Sequence, residues 1–522
     1  MAFFFAENSL PFFILHLALA YLGLPFTPNK PSNGAYETAY QLENSGASLL
    51  LISSDKLPVI RQVFESQEYS HLLKQLKLVV LMDNLDDEVS PEINSIFSDL
   101  QKVVSFSQLN STENQDSTTF SIPHLIPADP STSPYAIVYT SGSTGLPKGA
   151  VLSHRAYIST FLSSLQAKCF TGHTDDLVLF AAPFGHISGV YFSGVFLLSG
   201  ARLLVIDSMQ PMKVISAWAR YRVSYGLIAA LHGAAILELV ESKTIPKEQI
   251  PDLSCTKTML TSGGKFHERV ARGLIAKFGL EFNEIYGSTE FMGAVFNNES
   301  SWEPGNLGQP LANVEMKIVD LENLNHSLPA NKQGEIWFRG PSCFTEYLKN
   351  PAATASTIDA EGWYHTGDVG YYDSTGSLFL TDRLKELIKY KSWSVAPAEV
   401  EACIGHHRQV AAVCVVGVPH ATEGAHLRAY VELKKDALEN TEVIAEEIVN
   451  LVKGKQKKIF FDVFLLTILF FVQLENMGYM KRLNGGVVFI PSMPRISVGK
   501  VDRKHFAALT KGELLTEPAP SA

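Results

Sequence analysis

The run Tyr-Thr-Ser-Gly-Ser-Thr-Gly-Leu-Pro-Lys-Gly-Ala at residues 139–150 decides how the rest of the chain is read. It follows an apolar stretch at 136–138, which places it directly after a strand. Thr140, Ser141, Ser143 and Thr144 are interleaved with Gly142 and Gly145. Small residues let backbone N–H groups approach an anion closely, and hydroxyls add further donors. Lys148 supplies a point positive charge for a phosphate. The spacing is not that of the Walker loop. A flexible Ser/Gly linker is the competing reading, but strand-like sequence on both sides and the Pro-Lys-Gly that follows count against it.

Outward from this loop, the first half alternates short β-rich runs (49–52, 78–81, 136–139, 177–180, 202–206) with helix-length stretches. That pattern predicts an α/β fold with largely parallel sheets. Residues 109–134, rich in Ser, Thr, Asn and Pro, read as an exposed connection. From about residue 310 the pattern turns hairpin-like, with strand candidates at 314–319 and 334–339 and a turn at Asp373 within 371–380. A small α+β domain is expected from Arg383, dividing the chain into 1–382 and 383–522.

The 522 residues carry 46% hydrophobic and 18% charged side chains, enough for a large core. A net charge of −10 argues against a nucleic-acid or anionic-membrane binder, whose affinity rests on a Lys/Arg excess. Five scattered cysteines with no C-x-x-C pair suggest neither a disulfide framework nor zinc, and fit a reducing, cytoplasmic compartment. The C-terminus is not of the S-K-L type, which leaves a peroxisomal location as the alternative. The apolar N-terminus has no basic residue before Lys30 and is broken by Pro11 and His16, so it reads as a core helix rather than a signal peptide. The apolar run at 463–472 is half of the roughly twenty residues a spanning helix needs, which argues against membrane association. Residues 455–473 instead read as an aberrant insertion, a retained intron of roughly twenty codons.

Four further stretches carry chemistry. In Tyr-Gly-Ser-Thr-Glu at 286–290, an aromatic ring suits stacking on a base, and Thr289 with Glu290 offers oxygen ligands to a hard cation. Gly-Trp-Tyr-His-Thr-Gly-Asp at 362–368 ends in a carboxylate suited to two neighbouring hydroxyls; Arg383, Lys385 and Lys389 follow in a stretch that alone would pass for a salt-bridged surface helix. In Pro-Arg-Ile-Ser-Val-Gly-Lys at 494–500, a mobile Lys500 would stabilise charge developing on leaving oxygens. His186 and the pair Gly263–Gly264 are lesser candidates, since a lone histidine in an apolar run is usually a satisfied core residue.

Together these stretches resemble the acyl-adenylate-forming superfamily of acyl-CoA synthetases, 4-coumarate–CoA ligases, luciferases and peptide-synthetase adenylation domains. The resemblance runs from about residue 20 to residue 506 and looks nearest to the ligase and luciferase branch. It implies a large N-terminal domain of packed sheets and helices and a small mobile α+β C-terminal domain. It implies ATP and Mg²⁺, with a small carboxylic acid and coenzyme A as the other substrates. By resemblance, Tyr286 packs on adenine, while Thr289 and Glu290 serve phosphate and Mg²⁺. Asp368 and Arg383 reach the ribose, Lys385 is the hinge, and Lys500 serves adenylation. Lys389 and its neighbours are presented for thiol transfer. His186, Gly263, Gly264 and Gly287 line the acyl pocket. Relatives carry a few dozen residues upstream of Met1, so the chain reads as truncated at its start. Departures fall at Glu284, Ile285, Lys265, Phe266, Ser392 and Ser394. A luciferase-like oxidation and a weakened adenylate-binding homologue stay open as alternatives.

Overall fold

Phe3, Phe4 and Phe5 leave no polar face on the first strand, β1 (Ala2–Phe5), and such a strand is stable only when covered on both sides. The computed structural model buries all three completely. Successive side chains point to opposite faces, so Phe3 and Phe5 join Ala39, Leu42, Leu50 and Ile52 in one core layer. Phe4 instead stacks on Phe12, 4.2 Å between ring centres. The structure describes residues 1–510 except 84–90, 99–101, 111–128, 141–146, 168–173, 181, 207–209, 229, 242–252, 263–265, 267, 298–302, 304, 391–392, 396, 421–423, 436–439, 453–482 and 496–500. The suspected insertion at 455–473 and most of the expected connection at 109–134 lie outside the described residues.

The N-terminal apolar segment is therefore a strand followed by a helix, not one core helix. The helix Leu10–Tyr21 is capped by Ser9 and carries Pro11 in its first turn, where a missing N–H costs nothing. It buries Phe12, His16 and Leu19 and leaves Leu10, Ile14, Leu17 and Tyr21 exposed.

β1 lies between β2 (Phe26–Pro28) and β3 (Leu49–Ile52), and the sheet continues through β4 (Leu78–Leu81) and β5 (Val103–Ser105), all parallel. On the other side β6 (Pro134–Thr140) adds in parallel, but β7 (Lys148–Ser153) returns antiparallel to it. The sheet is thus largely parallel, as expected, with β7 returning antiparallel after the glycine-rich stretch. A second sheet runs β8 (Leu177–Phe180), β9 (Arg202–Val205), β10 (Tyr225–Ile228), β11 (Thr258–Ser262) and β12 (Glu281–Tyr286) in parallel. It then switches direction at β13 (Val295–Phe296) and β14 (Asn306–Pro310). Trp218, Met259, Leu274 and Phe282 centre its core.

Contacts divide the chain into two units: Met1–Lys317 with Trp337–Thr366 and Asp373–Leu378, and Ile318–Ile336 with Gly367–Tyr372 and Phe379–Ala522. The division falls within β15 (Glu315–Val319), β16 (Gly334–Arg339), β18 (Tyr364–Tyr372) and β19 (Leu378–Arg383), with β17 (Glu346–Tyr347) wholly in the first unit. The second unit holds the short antiparallel pair β20 (Ile388–Tyr390) and β21 (Trp393–Val395). It also holds the long pair β22 (Val410–His420) and β23 (Gly424–Leu433), with β24 (Val487–Ile490) parallel to β23. Val400, Ile404, Val415, Leu427, Ile444 and Ile448 fill its core. The fold is α/β in a large N-terminal, sheet-rich part with a smaller C-terminal one. Among the described residues no helix is long and apolar enough to cross a membrane.

His16 gives this fold a measurable pH signature. Its ring is 2% exposed and packs against Phe13 and Phe26. Burial lowers its pKa from 6.5 to about 4. The unfolded chain therefore takes up a proton below pH 6.5 that the folded chain refuses, and stability falls as pH drops from 6.5 towards 4. At the conversion of about 1.4 kcal/mol per unit, the full loss is about 3 kcal/mol. Urea unfolding at pH 7.5, 5.5 and 4.5 is expected to show this decline, and His16→Leu to flatten it. An unchanged pH slope in the variant refutes the assignment.

Candidate active site

Thr140 and Lys148 end β6 and begin β7, and they stand opposite each other in the ladder. The Thr140 hydroxyl points at the Lys148 carbonyl, 3.5 Å away. Ser141, Gly142, Ser143 and Thr144, between them, lie outside the described residues. The far end of the loop is held by Tyr40, whose hydroxyl donates to the Pro147 carbonyl at 3.0 Å. Lys148 is half-buried, with its ammonium 4.4 Å above the ring of Tyr347.

The second motif leaves the C-terminal end of β12, beside the point where the sheet changes direction. The carboxyl ends of parallel strands are where open α/β sheets bind ligands. The turn is tight because the Tyr286 carbonyl accepts the Ala294 N–H at 2.8 Å and Ser288 N–H donates to the Phe291 carbonyl at 3.1 Å. Gly287 is required inside it: a Cβ there would lie 2.7 Å from the Gly293 nitrogen and 3.0 Å from the Phe291 oxygen. Tyr286 is half-buried, tilted against Phe338 at 5.8 Å. Ile285 is buried in the strand, so that departure from the family pattern is a core choice. The Ser288 hydroxyl meets the Tyr364 hydroxyl at 3.0 Å.

Thr289 and Glu290 are both half-buried. Glu290 Oε1 accepts the Tyr347 hydroxyl at 2.7 Å. Close by, burial and then the Glu290 charge push the Cys343 thiol up to about 12, so it stays protonated at neutral pH. Among the described residues no three His, Cys, Asp or Glu side chains gather into a metal cage. One accessible carboxylate beside a threonine hydroxyl instead suits a Mg²⁺ carried in on phosphate oxygens.

His186 is the N-cap of the helix Ile187–Leu198. Its Nδ1 accepts the Ser188 N–H at 3.2 Å and sits 2.8 Å from the Ser188 hydroxyl. Accepting at Nδ1 places the proton of the neutral ring on Nε2.

In the second unit Asp368 is 6% exposed on β18, and its Oδ1 receives Arg383 Nε at 2.7 Å. Gly367 N–H donates to Glu335 Oε1 at 3.0 Å. Lys385 is exposed in the single turn Leu384–Glu386. Anchors flank that turn: Asp382 Oδ2 accepts the Ala398 N–H at 2.8 Å, and Glu386 meets Arg503 at 3.0 Å. Arg503 also pairs bidentately with Glu401 and donates to the Val415 carbonyl. A bridge between Arg495 and Val501 spans the segment that carries Lys500. Lys389 faces Ser394 in the β20–β21 ladder. Its side chain, together with Lys500, Gly263 and Gly264, lies outside the described residues.

The structure thus brings Thr140, Lys148 and Glu290 together, and does so through Tyr347, which sequence reading missed. Its signal in Thr-Glu-Tyr-Leu-Lys-Asn-Pro is faint, because a two-residue strand has no readable period.

The chain is 32% identical over 429 residues to 4-coumarate–CoA ligase 4 of Arabidopsis thaliana, covering 79% of this chain and 69% of that one. It is 28% identical over 510 residues to peroxisomal OPC-8:0-CoA ligase 1 of the same plant, covering 96% and 82%. The crystal structure of the anthranilate CoA ligase AuaEII, with anthranoyl-AMP, shares the fold with a TM-score of 0.77 at 19% identity, over 98% of this chain and 88% of that one. The sequence profile of the AMP-binding enzymes matches residues 2–348, and that of the AMP-binding enzyme C-terminal domain matches residues 399–500. The first of these matches spans more than half of the chain, and the chain belongs to the AMP-binding enzyme family.

Proposed function

We propose that the chain is an acid–thiol ligase: it activates a carboxylic acid with ATP and passes the acyl group to coenzyme A. The carboxylate oxygen attacks the α-phosphorus and the bond to pyrophosphate breaks, giving acyl-AMP. The thiol sulfur then attacks the acyl carbon, the bond to AMP breaks, and the thiol proton is lost to solvent. The observation that best supports the reading is that Lys148 and Glu290, distant in sequence, meet the same tyrosine. A phosphate-binding cation and a carboxylate for its counter-ion are the two charges a nucleotide triphosphate needs at one place.

In this reading Thr140, Ser141, Gly142, Ser143, Thr144 and Lys148 hold phosphate, and Tyr286 packs on adenine. Thr289 and Glu290 would hold Mg²⁺, which when bound neutralises phosphate charge. Asp368 and Arg383 take the ribose hydroxyls. His186, Gly263, Gly264 and Gly287 face the acyl group. The domain boundary is proposed near residue 383, with Lys385 as the hinge that exchanges Lys500 for Lys389 between half-reactions. A cytoplasmic location is proposed; one relative is named peroxisomal.

Pyrophosphate exchange across fatty, aryl and short-chain acids is the direct test. Acid-dependent exchange with at least one class is expected, and none with any class would refute the reading. Lys500→Ala is expected to abolish acyl-AMP formation while sparing transfer from supplied acyl-AMP, because its charge serves only the leaving oxygens. Equal loss in both half-reactions would make its role structural. Ser392 stands where the ligase branch has a glycine against the thiol arm, and Ser394, opposite Lys389, replaces a longer amide. The double variant Ser392→Gly with Ser394→Gln is expected to speed thioester formation by roughly five- to thirty-fold, for about 1–2 kcal/mol, without changing exchange. Unaltered acyl-CoA release would show these serines to be neutral.

A further inference from the structure

Residues 343–348 form a strap between the two motifs of the first unit. At one end Phe344 N–H donates to the Glu290 carbonyl at 2.8 Å, and Cys343 bridges to Phe291. At the other, Thr345 N–H donates to the Val151 carbonyl at 2.9 Å and Leu348 N–H to the Gly149 carbonyl at 2.7 Å. Tyr347 lies within this strap, opposite Ala150 in the β17–β7 ladder. Its own N–H is fixed by Thr354 Oγ1 at 2.9 Å, and the residue is 4% exposed.

The two ends of its side chain do different things. The hydroxyl donates to Glu290, and the ring face carries the Lys148 ammonium. Burial and then the Glu290 charge raise the phenol pKa, so it remains a donor at neutral pH. Donation to a carboxylate also enriches the ring, which strengthens the cation–π contact. Among the described residues Lys148 and Glu290 form no ion pair with each other; each meets a different part of one rigid ring. Without that ring the flexible lysine is free to swing onto the carboxylate, and each group would cancel the charge the other needs.

We infer that Tyr347 is a positioning residue that holds Lys148 and Glu290 apart and oriented, so that the polyphosphate and its divalent cation find both charges uncommitted. The inference rests on the ligase reading above and extends it to a residue with no contact to substrate.

Calorimetric titration of the full chain with ATP, in excess EDTA and again with Mg²⁺, separates the two charges. Tyr347→Phe keeps the ring and loses the hydroxyl. Its affinity in EDTA is expected to stay within about twofold of the parent, while the gain from Mg²⁺ shrinks about tenfold, the scale of one charge-assisted hydrogen bond. Tyr347→Leu removes the face as well, and affinity in EDTA is expected to fall too. Glu290→Gln is expected to lose the same Mg²⁺ gain, with Tyr347→Phe adding nothing on that background. Equal loss with and without Mg²⁺ in Tyr347→Phe, or full additivity with Glu290→Gln, overturns the inference. Parent-like Mg²⁺ dependence in Tyr347→Phe overturns it alone, whereas a parent chain that binds ATP in neither condition overturns the ligase reading with it.

Discussion

Three backbone hydrogen bonds along residues 344–348 hold the first unit's chemistry in register. They join Phe344 to Glu290, Thr345 to Val151 and Leu348 to Gly149. The glycine-rich loop hangs from a hairpin of the first sheet, and the acidic turn leaves the last parallel strand of the second. Neither sheet by itself fixes the position of the other's loop. A peptide group bonded at both ends does, because each bond is directional to within a few tenths of an ångström. Side chains set on such a strap inherit its precision, which is why a two-residue strand can matter as much as a long one.

The second unit solves a different problem with charge. Arg503 reaches Glu401 with two nitrogens, the Val415 carbonyl with one of them, and Glu386 through Nε. Burial raises the pKa of Glu386 and opposes its ionisation, and the guanidinium offsets part of that. The side chains of Arg503 and Glu386 are 25% and 38% exposed, so solvent screens this pair more than the one with Glu401. The helix Arg503–Thr510 is tied by Arg503 to the turn Leu384–Glu386.

Much of this was legible in the sequence, and the limits have physical causes. Strands at 49–52, 78–81, 177–180 and 334–339 were read with their observed bounds, because buried β-branched and leucine runs between turns have few other solutions. The first strand was misread as helix, since a short run that is apolar on all faces carries no period to tell the two apart. The largely parallel expectation held, and β7 is an antiparallel exception that the sequence did not mark, because direction depends on whether the chain crosses over or turns back. His186 looked like a pocket residue, and the structure adds a helix cap, a duty visible only once the helix start is known. Tyr347 was missed because its significance lies in two partners far away in sequence.

A common device links these local arrangements. Asp368, buried, is met by Arg383, whose side chain is 62% exposed. Glu290 is met by a phenol, and Lys148 by a ring face. In each case a group proposed to bind the nucleotide is oriented by a partner that is either open to solvent or free of net charge. The exposure of Arg383 lets solvent screen its pair with Asp368, and the ring under Lys148 carries no net charge. A strong pairing would fix the geometry equally well, but an incoming nucleotide would have to break it first. A group with no partner would bind as tightly only after losing its rotamer freedom, about 2 kcal/mol for a lysine. Weak partners lie between these extremes: they supply orientation in advance and concede the group at small cost. The same logic accounts for the choice of tyrosine between Lys148 and Glu290. A carboxylate there would capture the lysine and a second lysine would capture the glutamate, whereas a neutral phenol orients both and neutralises neither.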